Sequence, residues 1–387
     1  MRNEEEIKDY VRTLREELHQ YPETDFNEFK TKSIIERELN KIGIPYQTFA
    51  KTGTVGLISG KAGGKTVLLR ADIDGLPIKE EVDVPYKSKN EGFMHACGHD
   101  VHTACLLGAA KLLFDARENF SGNVKLVFQP AEEGVGGAKP MIDEGVLENP
   151  KVDGAFALHV EPLEKTGNIQ IRDGAIMASP DEFTIKIYGK GGHGSAPHQC
   201  VDPISPAALL VNELEKIPRS VVSVFEPCVG SVCSIHAGSC PNVIPSEAVL
   251  EGTARAFDEI TRKKIATMIE EKVKQICNIY GTKYEFEYRY LYPPVINNAK
   301  MNVLVENAAK KIPEVKNIII LKHPAMAGDD FSYFAQKVPS AYFKLGVGND
   351  KINFPIHSNR FTIDNSALLT GTKLMAQTAM EFLDSRG

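Results

Sequence analysis

Hydrophobic and polar positions follow two different patterns along the chain. In the first half, apolar residues recur at helical spacing over residues 7–18, and residues 103–115 also predict a helix. Short apolar runs that predict strands occur in the same half, at residues 55–59, 67–71, 123–129 and 155–159. This alternation of strands and helices predicts an α/β domain in which a mostly parallel sheet lies between helices.

The pattern changes near residue 180, where single apolar and polar residues begin to alternate. Such alternation is typical of an antiparallel strand with one exposed face. Further predicted strands and a long helix at 259–280 follow, until Pro293 and Pro294 interrupt the chain. We therefore predict an inserted α+β domain over residues 180–292. The flanks, residues 1–179 and 293–387, would together form a single domain.

The composition of the 387 residues is that of a soluble globular protein, with 42% hydrophobic and 25% charged residues. The formal net charge of −6 leaves no basic excess for a nucleic-acid partner. No apolar run approaches the roughly 18 residues of a membrane span, and the N-terminus lacks the apolar core of a signal peptide. The seven cysteines show no disulfide spacing. We therefore expect a reduced, cytoplasmic protein without nucleic-acid or membrane partners.

The first candidate chemistry lies in Cys97 and His99, within the segment MHACGHDVH at residues 94–102. If the backbone is extended here, residues two apart point the same way, and both side chains could reach one metal ion. Asp100 would then cap the following helix or hold a histidine ligand. A buried thiol beside a histidine, without any metal, is an equally good interpretation of this segment alone.

An acidic pair, Glu132 and Glu133, follows the predicted strand at 123–129. A surface loop is the usual explanation for adjacent carboxylates. Beside a divalent cation, however, one carboxylate can bind the ion while its neighbour takes a proton from water. His159 closes another predicted strand, at the end where α/β sheets place their sites, and His357 lies on a late loop. Either histidine alone could equally be structural.

Together these residues favour a metal site over separate structural explanations. Cysteine, histidine and carboxylate groups form a donor set that suits zinc, and also manganese, cobalt or nickel. Asp72 and Asp74 lie two apart at a strand end, and His95 and His102 flank the candidate ligands. We expect these four residues to support the site rather than to bind metal.

The order and spacing of several segments resemble those of a known family. The segments are RADIDGLP at 70–77, MHACGHDVH at 94–102, QPAEE at 129–133, GGHGSAPH at 191–198, PNVIP at 241–245 and His357. They resemble the metal-dependent amidohydrolases and peptidases that include aminoacylases, hippurate hydrolases, auxin-conjugate hydrolases and N-acetyldiaminopimelate deacetylases. The resemblance covers nearly the whole chain. It implies a two-metal catalytic domain interrupted by an inserted lid domain of the kind that forms dimers.

The resemblance also implies roles for individual residues. The implied metal ligands are Cys97, His99, Glu133, His159 and His357. Glu132 would be the general base, and His193 would stabilise the oxyanion, in some relatives across a dimer interface. Asn242 and Arg255 would hold the carboxylate of the substrate, although a solvated strand residue is the alternative interpretation of Arg255.

These observations lead to the hypothesis of a binuclear metallohydrolase that cleaves N-acyl-amino acids into a carboxylic acid and a free amino acid. The two divalent ions would be zinc or manganese, with cobalt or nickel as alternatives. Within the class, the alternatives are an N-acetyldiaminopimelate deacetylase and a dipeptidase or carboxypeptidase. Outside it, the alternative is a metal- or ligand-binding protein on the same fold, against which the intact Glu132 argues. The expected partners are a small N-acyl-amino acid or dipeptide and further copies of the chain, in a homodimer or higher oligomer.

Overall fold

The structure, a computed structural model, describes residues 4–221 and 227–385. The helices are α1 Glu4–His19, α2 Phe29–Ile42, α3 His99–Asp115, α4 Ala138–Asp143, α5 Ile204–Leu214, α6 Ile217–Val221, α7 Glu259–Tyr280, α8 Ala299–Lys310, α9 Ser332–Ala335 and α10 Ala367–Asp384. Two short 3₁₀ helices span Arg117–Asn119 and Pro197–Gln199.

The strands include long central ones and several short edge pieces. They are β1 Tyr46–Phe49, β2 Gly53–Ser59, β3 Lys61–Asp72, β4 Ser121–Gln129, β5 Gly154–Lys165, β6 Asn168–Ile171, β7 Gly174–Met177, β8 Asp181–Tyr188, β9 Gly192–His193, β10 Val229–Ala237, β11 Val243–Ile244, β12 Glu247–Arg255, β13 Lys283–Arg289, β14 Val295–Asn297, β15 Asn317–Ile320 and β16 Ser340–Gly348.

The chain divides into two compact units. The first unit takes in Met1–Ile176, Ile296–His323 and Asp330–Gly387, and the second takes in Met177–Val295 and Pro324–Asp329. The short Pro324–Asp329 segment clusters with the second unit, whereas the sequence pattern had placed it in the domain formed by the flanks.

The first unit is built on an eight-stranded sheet in the order β1-β2-β4-β3-β5-β16-β6-β15. Its central strands β4, β3, β5 and β16 run parallel to one another, and antiparallel pairs occur toward both edges. The prediction of an α/β fold with a mainly parallel sheet is confirmed, and the antiparallel edges make the sheet mixed.

Helix α3 lies at the centre of the core of this unit. Every residue from 99 to 110 is buried, and the helix contacts both α1 and α10. Gly108 allows this close packing, because a Cβ atom there would lie 2.5 Å from the side chain of Val11 and 2.8 Å from that of Thr372. The first residue of this tightly held helix is His99.

The second unit contains a four-stranded antiparallel sheet in the order β10-β12-β8-β13. Buried and more exposed residues alternate along β8, and its buried side chains pack in one cluster with residues of α5 and α7. This confirms the predicted α+β character of the insertion. Within the described ranges, none of the helices combines the length and the apolar character needed to cross a membrane.

Candidate metal centre

The first unit brings six of the residues singled out in the sequence into one neighbourhood. They are Cys97, His99, Glu132, Glu133, His159 and His357. They come from four parts of the chain: the start of α3, the loop after β4, strand β5 and the loop between β16 and α10. The site therefore depends on tertiary structure and not on a local motif.

The backbone between Cys97 and His99 differs from the expected extended form. Gly98 has a left-handed φ of 85°, and α3 begins at His99, so the two side chains flank a turn. A Cβ atom on Gly98 would also lie 2.5 Å from the side chain of Val160. The left-handed turn and this close approach both require glycine at position 98.

His99 presents one ring nitrogen to the centre. Its Nδ1 atom lies 3.1 Å from Oδ1 of Asp74, and its buried Nε2 atom makes no hydrogen bond with any described residue. Oxygen atoms of Asp72 and Glu133 lie 3.7 Å from Nε2, and one of Glu132 lies 4.0 Å away. Burial opposes a charge on this ring, but the surrounding carboxylates prevail and raise the pKa of His99 to about 10. The surrounding carboxylates thus favour a positive charge at Nε2, which a divalent cation would supply.

His159 also directs a lone pair toward Cys97. Its Nδ1 atom donates a hydrogen bond to the carbonyl of Val160 at 2.7 Å, and its Nε2 atom lies 3.5 Å from Sγ of Cys97. Burial and the neighbouring His102 lower the pKa of His159 well below its ordinary value, so the ring is neutral. A neutral imidazole held through the opposite nitrogen is the usual form of a metal-binding histidine.

The sequence pattern predicts a strand that ends at His159, but the observed strand β5 is longer. It continues to Lys165, because its parallel pairing with β16 extends past His159. Its pairing with β3, on the other side, stops at Ala157. His159 therefore lies where β5 has lost one of its two neighbours, which opens space beside the strand.

The acidic pair follows a strained piece of backbone. Ala131 has a left-handed φ of 53°, which non-glycine residues adopt at a cost. The amide of Glu133 donates to Oδ2 of Asp74 at 3.0 Å, so Asp74 holds both this loop and His99. Glu132 is buried, with 7% of its surface exposed.

His357 also has a left-handed backbone, with a φ of 63°. Its amide donates to the carbonyl of Ala96 at 2.8 Å, which ties the late loop to the segment before Cys97. Its Nε2 atom lies 3.2 Å from Oε1 of Glu133. The ring is half-exposed and is the most accessible of the six side chains.

The ligand atoms form overlapping groups of three, each with all its atoms within 4.8 Å of one another. Cys97 belongs to one group with His99 and His159, and to another with Glu133 and His357. Burial and the nearby glutamates raise the pKa of the Cys97 thiol well above its ordinary value, which a bound cation would reverse. Thiolate, imidazole and carboxylate groups fit zinc and related divalent ions.

Asp72 is one of the residues that the sequence predicts to support the site, and it lies beside His99. Asp72 binds Nη1 of Arg70 at 2.6 Å, and Arg70 also binds Asp330 at 2.9 Å. Burial disfavours the charged form of Asp72, yet Arg70 and two histidines hold its pKa well below the ordinary range. The sequence pattern predicts no role for Arg70, although the segment at 70–77 contains it.

Asp100 has a different role from the one predicted. Its carboxylate neither caps α3 nor holds a ligand of the centre, but accepts from Nε of Arg15 at 2.8 Å and contacts Nδ1 of His19 at 2.7 Å. All three side chains are buried. Sequence reasoning missed this cluster, because Asp100 lies more than 80 residues from Arg15 and His19 in the chain.

The other three predicted residues belong to the second unit. His193 and Asn242 lie together, because β9 pairs with β11 and Gly194 donates to the carbonyl of Asn242 at 2.7 Å. Arg255 ends β12 in the four-stranded sheet, where its half-buried side chain contacts the carbonyls of Asp181 and Ala254 at 3.3 and 3.1 Å. The structure thus groups His193 with Asn242 and places Arg255 in a separate sheet.

A parallel sheet with cysteine, histidine and glutamate side chains gathered beside its central strands is an architecture typical of metal-dependent hydrolases. The sequence pattern of Peptidase family M20/M25/M40 matches residues 68–381. The chain belongs to this family of hydrolases.

Individual relatives match the chain over almost its full length. Thermostable carboxypeptidase 1 of Saccharolobus solfataricus is 40% identical, over 97% of this chain and 96% of its own. The hippurate hydrolase of Campylobacter jejuni is 36% identical, over 96% of each chain. The crystal structure of Bacillus subtilis YXEP, a dinuclear metal binding peptidase of the M20 family, superposes with a TM-score of 0.86. It is 32% identical, over 99% of this chain and 100% of its own.

Proposed function

We propose that the protein is a metal-dependent hydrolase that cleaves the amide bond of N-acyl-amino acids and releases a carboxylic acid and a free amino acid. The observation that carries the proposal is the position of Cys97, which belongs to two groups of potential ligands at once. One group adds His99 and His159, and the other adds Glu133 and His357. Two groups that share one thiol support a centre for two ions.

The proposed ions are zinc or manganese, with cobalt or nickel as alternatives. The mixed sulfur, nitrogen and oxygen donors support this choice. The likeness to YXEP, a dinuclear metal binding peptidase, supports the number of two ions. When bound, such ions make a water molecule more acidic and polarise the carbonyl of the substrate.

Glu132 is the proposed general base. Its carboxylate is buried and lies 4.0 Å from the open Nε2 atom of His99, so it borders the centre. It would accept a proton from the attacking water and deliver that proton to the departing nitrogen. Its neighbour Glu133 contacts His357 and is the proposed ligand of the acidic pair.

His193 is the proposed donor to the oxyanion. Its Nδ1 atom accepts a hydrogen bond from the amide of Ser195 at 3.2 Å, so the ring proton resides on Nε2. The exposed ring can therefore donate from Nε2 to a developing negative charge. Asn242, beside it, and Arg255 are the proposed contacts to the carboxylate of the substrate.

The proposed substrate class is supported by what two relatives have in common. Hippurate hydrolase and carboxypeptidase are the names of relatives 36% and 40% identical to this chain. Both names describe removal of an amino acid with a free carboxylate from an acyl or peptidyl group. The 40% identity to the carboxypeptidase supports a carboxypeptidase or dipeptidase as the second candidate function.

We further propose that the enzyme acts in the cytoplasm as a homodimer or higher oligomer. All seven cysteines are free in the structure, which supports a reducing compartment. Light scattering coupled to gel filtration tests the oligomer, and a monomeric mass at working concentration would contradict it.

An activity screen tests the function directly. Metal-free protein is reloaded separately with zinc, manganese, cobalt and nickel, and free amine release is measured. The panel contains N-acetyl-, N-benzoyl- and indoleacetyl-amino acids, N-acetyldiaminopimelate and dipeptides. Release from acyl-amino acids that stops on chelation supports the proposal, and release from dipeptides alone favours the second candidate. Folded protein that holds two ions and hydrolyses nothing would instead indicate a binding protein.

Replacing Glu132 separates chemistry from metal binding. E132Q should lower kcat by roughly 100–10,000-fold, the contribution that a general base typically makes, while metal uptake is unchanged. E133Q is the matched control, since the adjacent ligand should lose both metal and activity. Metal content by elemental analysis and steady-state kinetics provide the two readouts. An E132Q enzyme that works at the wild-type rate would refute the proposed mechanism.

A further inference from the structure

A further buried histidine, His102, lies against the candidate metal centre. It follows His99 by three residues on α3, and the centres of the two rings are 5.4 Å apart. The His159 ring is closer still, at 4.7 Å. A nitrogen of His102 also lies within 4.8 Å of ligand atoms of Asp72 and His99, so distance alone would make it a possible ligand.

Hydrogen bonds occupy both ring nitrogens of His102. The Nδ1 atom contacts Oδ1 of Asp72 at 2.5 Å, and the Nε2 atom accepts from the amide of Val160 at 2.9 Å. A backbone amide can only donate, so Nε2 carries the lone pair and Nδ1 carries the proton. That lone pair is already engaged with Val160, and none is left for a metal ion.

The amide of Val160 needs such a partner because of the sheet topology. Strand β5 pairs with β3 only as far as Ala157, opposite Arg70, while its pairing with β16 continues. Past that point, the side of β5 toward β3 lacks a neighbouring strand to accept its amide hydrogens. His102, held by Asp72 at the end of β3, supplies the missing acceptor.

Val160 in turn holds His159. The carbonyl of Val160 accepts from Nδ1 of His159 at 2.7 Å, which directs Nε2 of that ring toward Cys97. The same residue is thus fixed at its amide by one histidine and receives the other histidine at its carbonyl. A shift of Val160 would turn the His159 ring away from the thiol.

We propose that His102 is a positioning residue that orients His159 through the backbone of Val160 and does not itself bind metal. This inference rests on the proposed function, because it assigns His102 a task only if His159 is a ligand. It also gives two histidines of the segment at 94–102 different roles. His99 binds the metal, and His102 orients His159.

Four variants test the proposal with cobalt as the probe. H102L removes both hydrogen bonds, whereas H102Q keeps a donor for Asp72 and an acceptor for Val160. H99Q removes a proposed ligand from the same helix. C105A, three residues further along α3, removes only a buried core thiol and controls for loss of stability. Cobalt affinity, the thiolate-to-cobalt absorption band and thermal unfolding are measured for each.

The expected result is a graded series. H102L should bind cobalt about 10–100-fold more weakly than wild type, with an altered absorption band, as expected when the group that orients a ligand is lost. H102Q should restore most of the affinity and the wild-type band. C105A should unfold at a lower temperature but bind cobalt normally, and H99Q should show the largest change in the spectrum.

Three outcomes overturn the proposal in distinguishable ways. H102L with wild-type affinity and spectrum would remove the positioning role alone. H102Q as damaged as H99Q would make His102 a ligand. Wild-type protein that takes up none of zinc, manganese, cobalt and nickel would overturn the proposed function, and the role of His102 with it.

Discussion

Two buried charged clusters in this molecule are completed in opposite ways. In the second unit, Asp181 accepts from Nε and Nη2 of Arg262 at 2.7 and 2.6 Å. It also accepts from the hydroxyl of Tyr288 and the amide of Leu291, each at 3.1 Å. In the first unit, Nε2 of His99 faces carboxylates and makes no hydrogen bond with the described residues.

This difference distinguishes a cluster that stabilises the fold from one that can bind a cation. Burying a charge costs several kcal/mol unless other groups compensate it. The Asp181 cluster contains its own cation and is complete as folded. The centre around Cys97 gathers lone pairs and negative charge, so it is completed by a cation from solution. Buried charge alone therefore does not mark a functional site.

The largest expected effect comes from removing the cation of the Asp181 cluster. R262M leaves the carboxylate of Asp181 buried without its cation and should lower the free energy of unfolding by about 3–5 kcal/mol. The exposed pair of Arg289 and Glu182, 3.2 Å apart, provides the control, and R289M should cost less than about 1 kcal/mol. Urea unfolding measures both variants. Equal losses would show that the Asp181 cluster is no more than a surface ion pair.

A smaller effect is expected from competition between protons and metal at the open cluster. Because the pKa of His99 is raised to about 10, the metal-free ring carries a proton at neutral pH that a metal must displace. Metal affinity should therefore rise with pH, by about tenfold per unit for each proton released. Calorimetry in two buffers of different ionisation heat counts those protons.

The control for this competition is H99Q, which has no ring proton to displace and should show a flatter dependence of metal affinity on pH. A wild-type affinity that stays constant between about pH 6 and 8 would contradict the proton count.

The smallest effect is expected at the start of α7. Asp258 accepts from the amide of Thr261 at 2.8 Å and caps this helix. D258A should cost about 1 kcal/mol of stability and leave metal uptake unchanged. D258N, which can still accept the hydrogen bond, should recover most of the loss. If D258A lowered metal uptake, the start of α7 and the centre around Cys97 would not be energetically separate.

Helix α7 also shows what the sequence can predict. Its bounds, Glu259–Tyr280, match the predicted 259–280, because Asp258 caps one end and Gly281 ends it in a left-handed conformation. These signals are local. The fold class is equally readable, since the spacing of apolar residues reports which faces of strands and helices are buried.

The same reasoning was wrong where distant strands decide the outcome. The sequence pattern predicts a strand that ends at His159, but pairing with β16 extends β5 to Lys165. It also treated the Cys97 region as extended, whereas Gly98 turns the chain into α3. The candidate ligands could be selected by residue type and family resemblance. Their orientation by Asp74 and Val160 depends on contacts that no local pattern encodes.

Asp74 sets a practical limit on engineering this centre. One of its oxygens holds the His99 ring at 3.1 Å and the other holds the amide of Glu133 at 3.0 Å. A ligand on a helix and a ligand on a loop are therefore aligned by a single carboxylate on a third segment. A designer who grafts the centre onto another scaffold must carry over this three-way junction as one piece, because copying the ligand side chains alone would leave their mutual angles unspecified.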